Sequence, residues 1–295
     1  MHLPRPKHCA IGSVLLSCAA LLAYHYDYDF VKLAPRFRGI SANAAKRNRQ
    51  CRAESKGRPQ SVPFLSGDTL RALADKRYDE TTAAQPCWTA KDVRRGDVIF
   101  RRFLTRVHPF IERPYVLVTG NSDARSGSSA AAAPATTRAN SMLHKWFGQN
   151  ALRGHAKLSP LPIGLENARW GRWNQDFIAQ FLQRPLKPWK DRKTFLYANF
   201  NVKTNPRVRR KALEHFRTLG AEVGSDAPLS FTQYMEKLND TKFVVSPPGN
   251  GLDCHRHWEA LALGCAPLVL AGDLDPLFAG TAALLVQQYD AVNLR

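Results

Sequence analysis

The period of the apolar positions changes several times along the chain, and each change predicts an element. The clearest run is 242–270. Phe243–Val245 is a short, partly β-branched apolar stretch, and a Pro/Gly loop follows over 246–251. Helical apolar spacing then holds up to Gly264, and a second strand-like run lies behind Pro267. The pattern predicts strand, glycine loop, helix and strand in succession. Upstream, 96–100 and 115–119 read as buried strands of a parallel sheet, and 157–164 as another short strand. Segment 168–182 carries Trp170, Trp173, Phe177 and Phe181 near helical spacing, which predicts an amphipathic helix with a core-facing aromatic stripe. A strand pattern over 194–200 leads to a helix over 206–220, with Pro206 near its first position and Gly220 at its end. Ser230 and Gln233 form a capping-box signature ahead of the next helix. A further helix is expected around 68–76, and a last strand near 282–286. The βα alternation on both sides of the charged, Pro-broken stretch 184–193 predicts an α/β protein. Its core would be two facing, doubly wound, Rossmann-like domains, an N-terminal one over 93–185 and a C-terminal one over 194–295.

Ahead of these domains the periodicity fails. Arg5 and Lys7 precede an apolar run from Cys9 to Tyr24 that carries no charge beyond Ala10. The run is short against the usual span of about 20 residues, which suits a thin early-secretory bilayer or a signal-peptide core. Positive charge before it and Asp27 and Asp29 after it predict a cytosolic N-terminus. Residues 1–25 are therefore expected to be a signal-anchor, with a cleaved signal peptide as the alternative. Residues 26–92 read as a stem or linker. Segment 123–140 is rich in small residues and reads as a solvent loop within the first domain.

Composition changes this picture in three respects. The chain has 295 residues with 44% hydrophobic and 10% aromatic content, enough to build cores, so wholesale disorder is excluded. Net charge is +19, yet from Thr194 onward 10 basic residues face 10 acidic ones, so the whole excess lies in residues 1–193. A basic face of this kind suits an anionic membrane surface, an acidic substrate or nucleic acid. No nucleic-acid-binding motif is present, and the basic residues do not alternate with stacking aromatics, so no nucleic-acid partner is expected. Of six cysteines, Cys51 and Cys87 could form a stem disulfide in an oxidising compartment, whereas Cys265 reads as a packed core thiol. The cysteine spacing fits no zinc site.

The candidate chemistry lies where strands end. In an open α/β sheet, ligands sit beyond the carboxyl ends of the strands. Asn199, Asn201, Thr204 and Asn205 fall after the strand at 194–200, with Arg209 in the next helix. Their functional reading is diphosphate contact by loop amides and Arg209, and the plain reading is turn chemistry. Ser246, Gly249, Asn250 and Gly251 form a second loop, whose free N–H groups suit an anion. Arg256 and Glu259 share one helical face; a cation beside a phosphate-sized loop and a carboxylate one turn further suit a nucleotide, Arg for phosphate and Glu for paired ribose hydroxyls. Asp253 reads equally as a helix cap or a substrate contact. His255 joins the same set, while His257 and Trp258 read as packing. In the first domain, Asp123 ends the 115–119 strand and Glu166 lies in the loop after 161–164. Asn121 and Asn150 occupy similar strand ends.

The segment KFVVSPPGNGLDCHRHWEALALGCAPLVL (242–270) resembles the C-terminal nucleotide-sugar-binding motif of the exostosin-like glycosyltransferases, a superfamily that includes ribitol xylosyltransferase-like and plant cell-wall enzymes. The resemblance extends to YVLVTGNSD (115–123), LHKWFGQN (143–150), HAKLSPLPIGLEN (155–167) and LYANFNVKTNPRVRR (196–210). These blocks keep the family's order and cover roughly 95–290. The resemblance implies a GT-B arrangement, with a nucleotide-sugar donor in the C-terminal half and a glycan or glycoprotein acceptor mainly in the N-terminal half. It matches Glu259 to the nucleotide-ribose carboxylate and Arg256 to the basic residue before it. An inverting transfer needs a base and positive charge on the leaving diphosphate. Arg209, Arg256 and the loop amides would supply the charge, so no metal and no cofactor are expected, and no Asp-x-Asp lies in a metal-binding context. The base is expected from the first domain, as Asp123 or Glu166. Together with the anchor, the expectation is a single-pass type II protein of the Golgi or secretory-pathway membrane, with a lumenal catalytic domain and an acceptor of anionic character. Three alternatives remain: an inactive glycan-binding relative, a basic nucleic-acid-binding protein, and a dehydrogenase. Against the last, no G-x-G-x-x-G follows an early strand.

Overall fold

The computed structural model describes residues 66–293 apart from 75, 78–88, 96–97, 101–109, 121–122, 124–125, 127–141, 153–155, 168–180, 182 and 225–228. The expected anchor, the Cys51–Cys87 bridge, Asn121, and most of the stem, of the 123–140 loop and of the 168–182 helix lie outside the described residues. No helix among the described residues is long and apolar enough to cross a membrane.

Two five-stranded sheets, parallel throughout, form the α/β core. In the first, α1 (Gly67–Leu73) starts at Ser66, whose side chain accepts from the Thr69 N–H at 3.2 Å, and stops where Ala74 turns extended. The chain then forms β1 (Lys76–Arg77), which pairs with β2 (Val98–Phe100). The helix expected at 68–76 is thus shorter, and Lys76–Arg77, within the stretch expected as stem, pair into the first sheet. Next come β3 (Tyr115–Thr119), β4 (Leu143–Gly148) and β5 (Leu158–Pro160), in the order β1-β2-β3-β4-β5. This order has no reversal, so the doubly wound pattern expected of the first domain is not met by its described strands. Side chains alternate between the two faces. Tyr115 and Leu117 pack with Ile99, Leu143 and Trp146, whereas Val118 packs with Phe147, Leu161 and the α1 residue Leu70.

The second sheet contains β6 (Thr194–Ala198), β7 (Glu222–Val223), β8 (Thr241–Val245), β9 (Ala266–Leu270) and β10 (Leu284–Val286), in the order β7-β6-β8-β9-β10. The chain leaves β6 for the edge and then crosses back to β8 on the opposite side of β6. This reversal is the topological switch point of a doubly wound sheet. Helix α2 (Pro206–Thr218) begins with Asn205 accepting from the Val208 N–H at 3.4 Å and Pro206 in the first turn, and Gly220 follows it at φ 77°. Its Ala212 and Phe216 pack on Leu196, Ala198, Val245 and Leu268. Helices α3 (Phe231–Asn239) and α4 (His255–Ala262) cover the other face, with Met235, Leu238, Ala260 and Leu263 against Tyr197, Val244 and Val269. The Ser230–Gln233 capping box is formed. Cys265 is a buried core thiol, as expected.

The stretch 184–193 has linker composition but is bonded to the second unit. The buried Arg192 guanidinium donates to the carbonyls of Thr241 and Leu263 at 2.8 Å each. Ahead of it, Leu165 and Phe181 are part of the second unit's core.

Candidate functional site

Both loops singled out by sequence leave the carboxyl ends of β6 and β8, the two strands that flank the reversal. The first loop, 199–205, is held by its own side chains. Asn201 Oδ1 accepts from the Lys203 N–H at 2.9 Å, Thr204 Oγ1 donates to the Asn201 carbonyl at 3.0 Å, and Asn199 Nδ2 donates to the Tyr197 hydroxyl at 2.8 Å. Asn205 caps α2 and donates to the Gly249 carbonyl at 3.2 Å. The turn-chemistry reading therefore accounts for much of these side chains' polarity.

Arg209 ties the two loops together. It is 5% exposed, and it donates to the carbonyls of Pro248 (3.0 Å), Asn201 (2.7 Å) and Pro247 (3.2 Å). A Cβ on Gly249 would lie 2.8 Å from its Nη2 atom, so a side chain there would displace the guanidinium. The guanidinium expected to meet a diphosphate directly is thus largely committed to shaping the loop.

Arg256 is the opposite case. Its guanidinium stands over the Phe200 ring at 5.8 Å, on which Arg209 also stands at 5.7 Å. Among the described residues Arg256 has no hydrogen-bond acceptor, and its Nε atom is buried. The Ser246 hydroxyl, at the end of β8, is likewise buried without a partner among the described residues. The amides of Asn250, Gly251 and Leu252 donate to no described residue. Helix α4 starts directly after this loop and adds first-turn donors. Unsatisfied buried donors are uncommon in folded proteins and call for an explanation. A cation and several N–H groups lacking acceptors among the described residues, all at the carboxyl end of one sheet, have the chemistry of an anion site.

Glu259, one turn after Arg256, is 7% exposed. Its Oε2 accepts from the Tyr234 hydroxyl at 2.8 Å, and Oε1 takes no hydrogen bond among the described residues. Burial pushes its carboxyl above the ordinary glutamate value, and nearby Glu166 pushes the same way, against the pull of Arg256, His255 and the Tyr234 hydroxyl. The phenol of Tyr234 is raised well above its usual value, first by burial and then by the Glu259 charge.

Asp253 resolves as a structural hub. It is 3% exposed, it accepts from the N–H groups of Ile163 (2.7 Å) and Cys254 (2.9 Å) and from Trp258 Nε1 (3.0 Å), and it lies 3.0 Å from His257 Nδ1. It stands one residue before the α4 cap, Cys254, and its carboxylate is saturated. His257 and Trp258 are buried as expected, but as polar partners of this hub, with His257 Nε2 3.1 Å from the Ser246 carbonyl. The first sheet's unit reaches the same loop. Asn150, buried and at φ 51°, accepts the Asp253 N–H at 2.8 Å, and its amide lies where a Gly251 Cβ would be, 2.9 Å away. His255 Nδ1 lies 2.8 Å from the Gly164 carbonyl.

Of the two carboxylates expected to serve as base, Glu166 is near enough to Glu259 to act on it. Asp123 is exposed on a bend beyond β3, and no contact among the described residues brings it to these loops. Sequence reasoning missed Tyr234 and Phe200 as neighbours of the two key side chains. It also missed that Asn150, Ile163 and Gly164 pin the second loop. Among the described residues no group of His, Cys, Asp or Glu could hold a metal ion. No protein-family model matches the chain, and no curated protein matches it significantly.

Proposed function

We propose that the chain is an inverting, metal-independent glycosyltransferase that moves a sugar from a nucleotide-sugar donor to a glycan or glycoprotein acceptor. The observation that carries this reading is the pairing of an acceptor-free Arg256 with the buried, half-used Glu259 carboxylate, at a switch point lined by unspent amides. A carboxylate held by Tyr234 with one oxygen open suits two adjacent ribose hydroxyls. The Arg256 cation, the Asn250–Leu252 amides and the Ser246 hydroxyl suit a diphosphate. Arg209 contributes by fixing the loop rather than by direct contact. The same donors would stabilise charge on the leaving diphosphate as the glycosidic bond breaks. The acceptor half, in a GT-B arrangement, is the first sheet's unit, where the basic excess of the chain suits an anionic acceptor. The N-terminal apolar run supplies a type II signal-anchor of the Golgi or secretory-pathway membrane. A thermal-shift panel of UDP-, GDP- and CMP-linked sugars tests the reading: stabilisation by one nucleotide class supports it, and no response to any of them rejects it.

A further inference from the structure

His255 is the first residue of α4, and its ring is fixed across the seam between the two units. Nδ1 lies 2.8 Å from the Gly164 carbonyl, an acceptor, so Nδ1 carries the proton and donates it. The neutral imidazole then has its lone pair on Nε2, which takes no hydrogen bond among the described residues. A base needs this arrangement: one nitrogen locks tautomer and orientation while the other stays open. Glu259 and Arg256 are on its own helix; Glu166, in the loop after β5, acts on the same Glu259, and the Asp253 carboxylate is committed to other donors. Glu259 lies one helical turn away and is coupled to His255 electrostatically, so an imidazolium would form beside a carboxylate.

We infer that His255 Nε2, rather than Asp123 or Glu166, is the general base of the transfer; this rests on the nucleotide-sugar reading above. In the step, the acceptor hydroxyl gives its proton to Nε2 as its oxygen bonds to the anomeric carbon. The bond from that carbon to the diphosphate oxygen breaks, and its electron pair leaves on the diphosphate. The imidazolium later returns its proton to solvent.

The test uses two variants of the full chain. Asparagine places an amide N–H where Nδ1–H was, so His255→Asn keeps the Gly164 bond and deletes only Nε2, while His255→Ala deletes both. UDP and GDP binding is measured by calorimetry, and release of UDP or GDP from the matching sugar nucleotides is followed against pH, with water as acceptor. The expected result is wild-type nucleotide binding in His255→Asn, with turnover down ~10²–10⁴-fold and the acid limb of the pH–rate profile gone, while Glu166→Gln keeps both. Wild-type turnover in His255→Asn with loss in His255→Ala would make His255 a tether and overturn the assignment. Loss of turnover and limb in Glu166→Gln alone would move the base there. Wild-type protein that binds UDP or GDP but releases neither from any donor also overturns it. Wild-type protein that binds no nucleotide instead rejects the nucleotide-sugar reading itself.

Discussion

Replacing Asp253 by asparagine should destabilise the protein almost as much as replacing it by alanine. The carboxylate accepts from two backbone N–H groups and an indole at 2.7–3.0 Å, with the His257 imidazole 3.0 Å away. An asparagine side chain would match its size, so no cavity forms and the chemistry alone is changed. Whichever way the amide turns, its NH₂ group meets at least one N–H that it cannot accept. Each buried donor left unmet costs about 1–3 kcal/mol. These losses share one site and do not add fully, so about 3–4 kcal/mol is expected for either substitution. That is a large fraction of a typical stability of about 5–15 kcal/mol. Urea unfolding followed by tryptophan fluorescence reads it as a lower midpoint at unchanged slope. An Asp253→Asn variant within about 1 kcal/mol of wild type, beside a badly destabilised Asp253→Ala variant, would refute the hub and leave only volume as the residue's contribution.

Other outcomes follow from the same geometry. Glu259→Gln should raise the stability of the unliganded protein at neutral pH, because burial raises the carboxyl's folded value. The sign is that the folded state holds this proton more tightly; the wild type therefore loses stability as pH rises from 4.5 through that raised value, and melting curves of the two proteins should converge in acid. Gly251→Ala should cost about 1–3 kcal/mol by overpacking, since the new Cβ would lie 2.9 Å from Asn150 Nδ2; unchanged thermal unfolding would contradict this. Chelator treatment should leave most transferase activity, and loss restored by manganese would show a cation site that the charge arrangement omits.

Sequence reading located the second sheet well because local signals there agree with the global fold. Pro206, Gly220, the Ser230–Gln233 box and Gly264 each bound an element where the structure bounds it. It placed both site loops, since strand ends can be read from period changes. It did not reveal the division of labour between the arginines. Arg209 and Arg256 look equivalent in sequence, yet among the described residues one meets three carbonyls and the other none. That difference depends on a loop whose shape is set by long-range packing. Tyr234 was hidden for the same reason, because its contact with Glu259 crosses between two helices. The strand at Lys76–Arg77 was not legible because two residues are too short and too polar to show alternation.

The most direct test of the central claim is calorimetric titration of UDP and GDP into wild type, Glu259→Ala and Arg256→Ala. Wild type should bind one nucleotide, with a loss of about 1.5–3 kcal/mol in Glu259→Ala as two ribose hydroxyls lose their acceptor; that is roughly a 10–150-fold weaker Kd. Arg256→Ala should discriminate less between diphosphate and nucleoside. Equal affinity in wild type and both variants would contradict the nucleotide site.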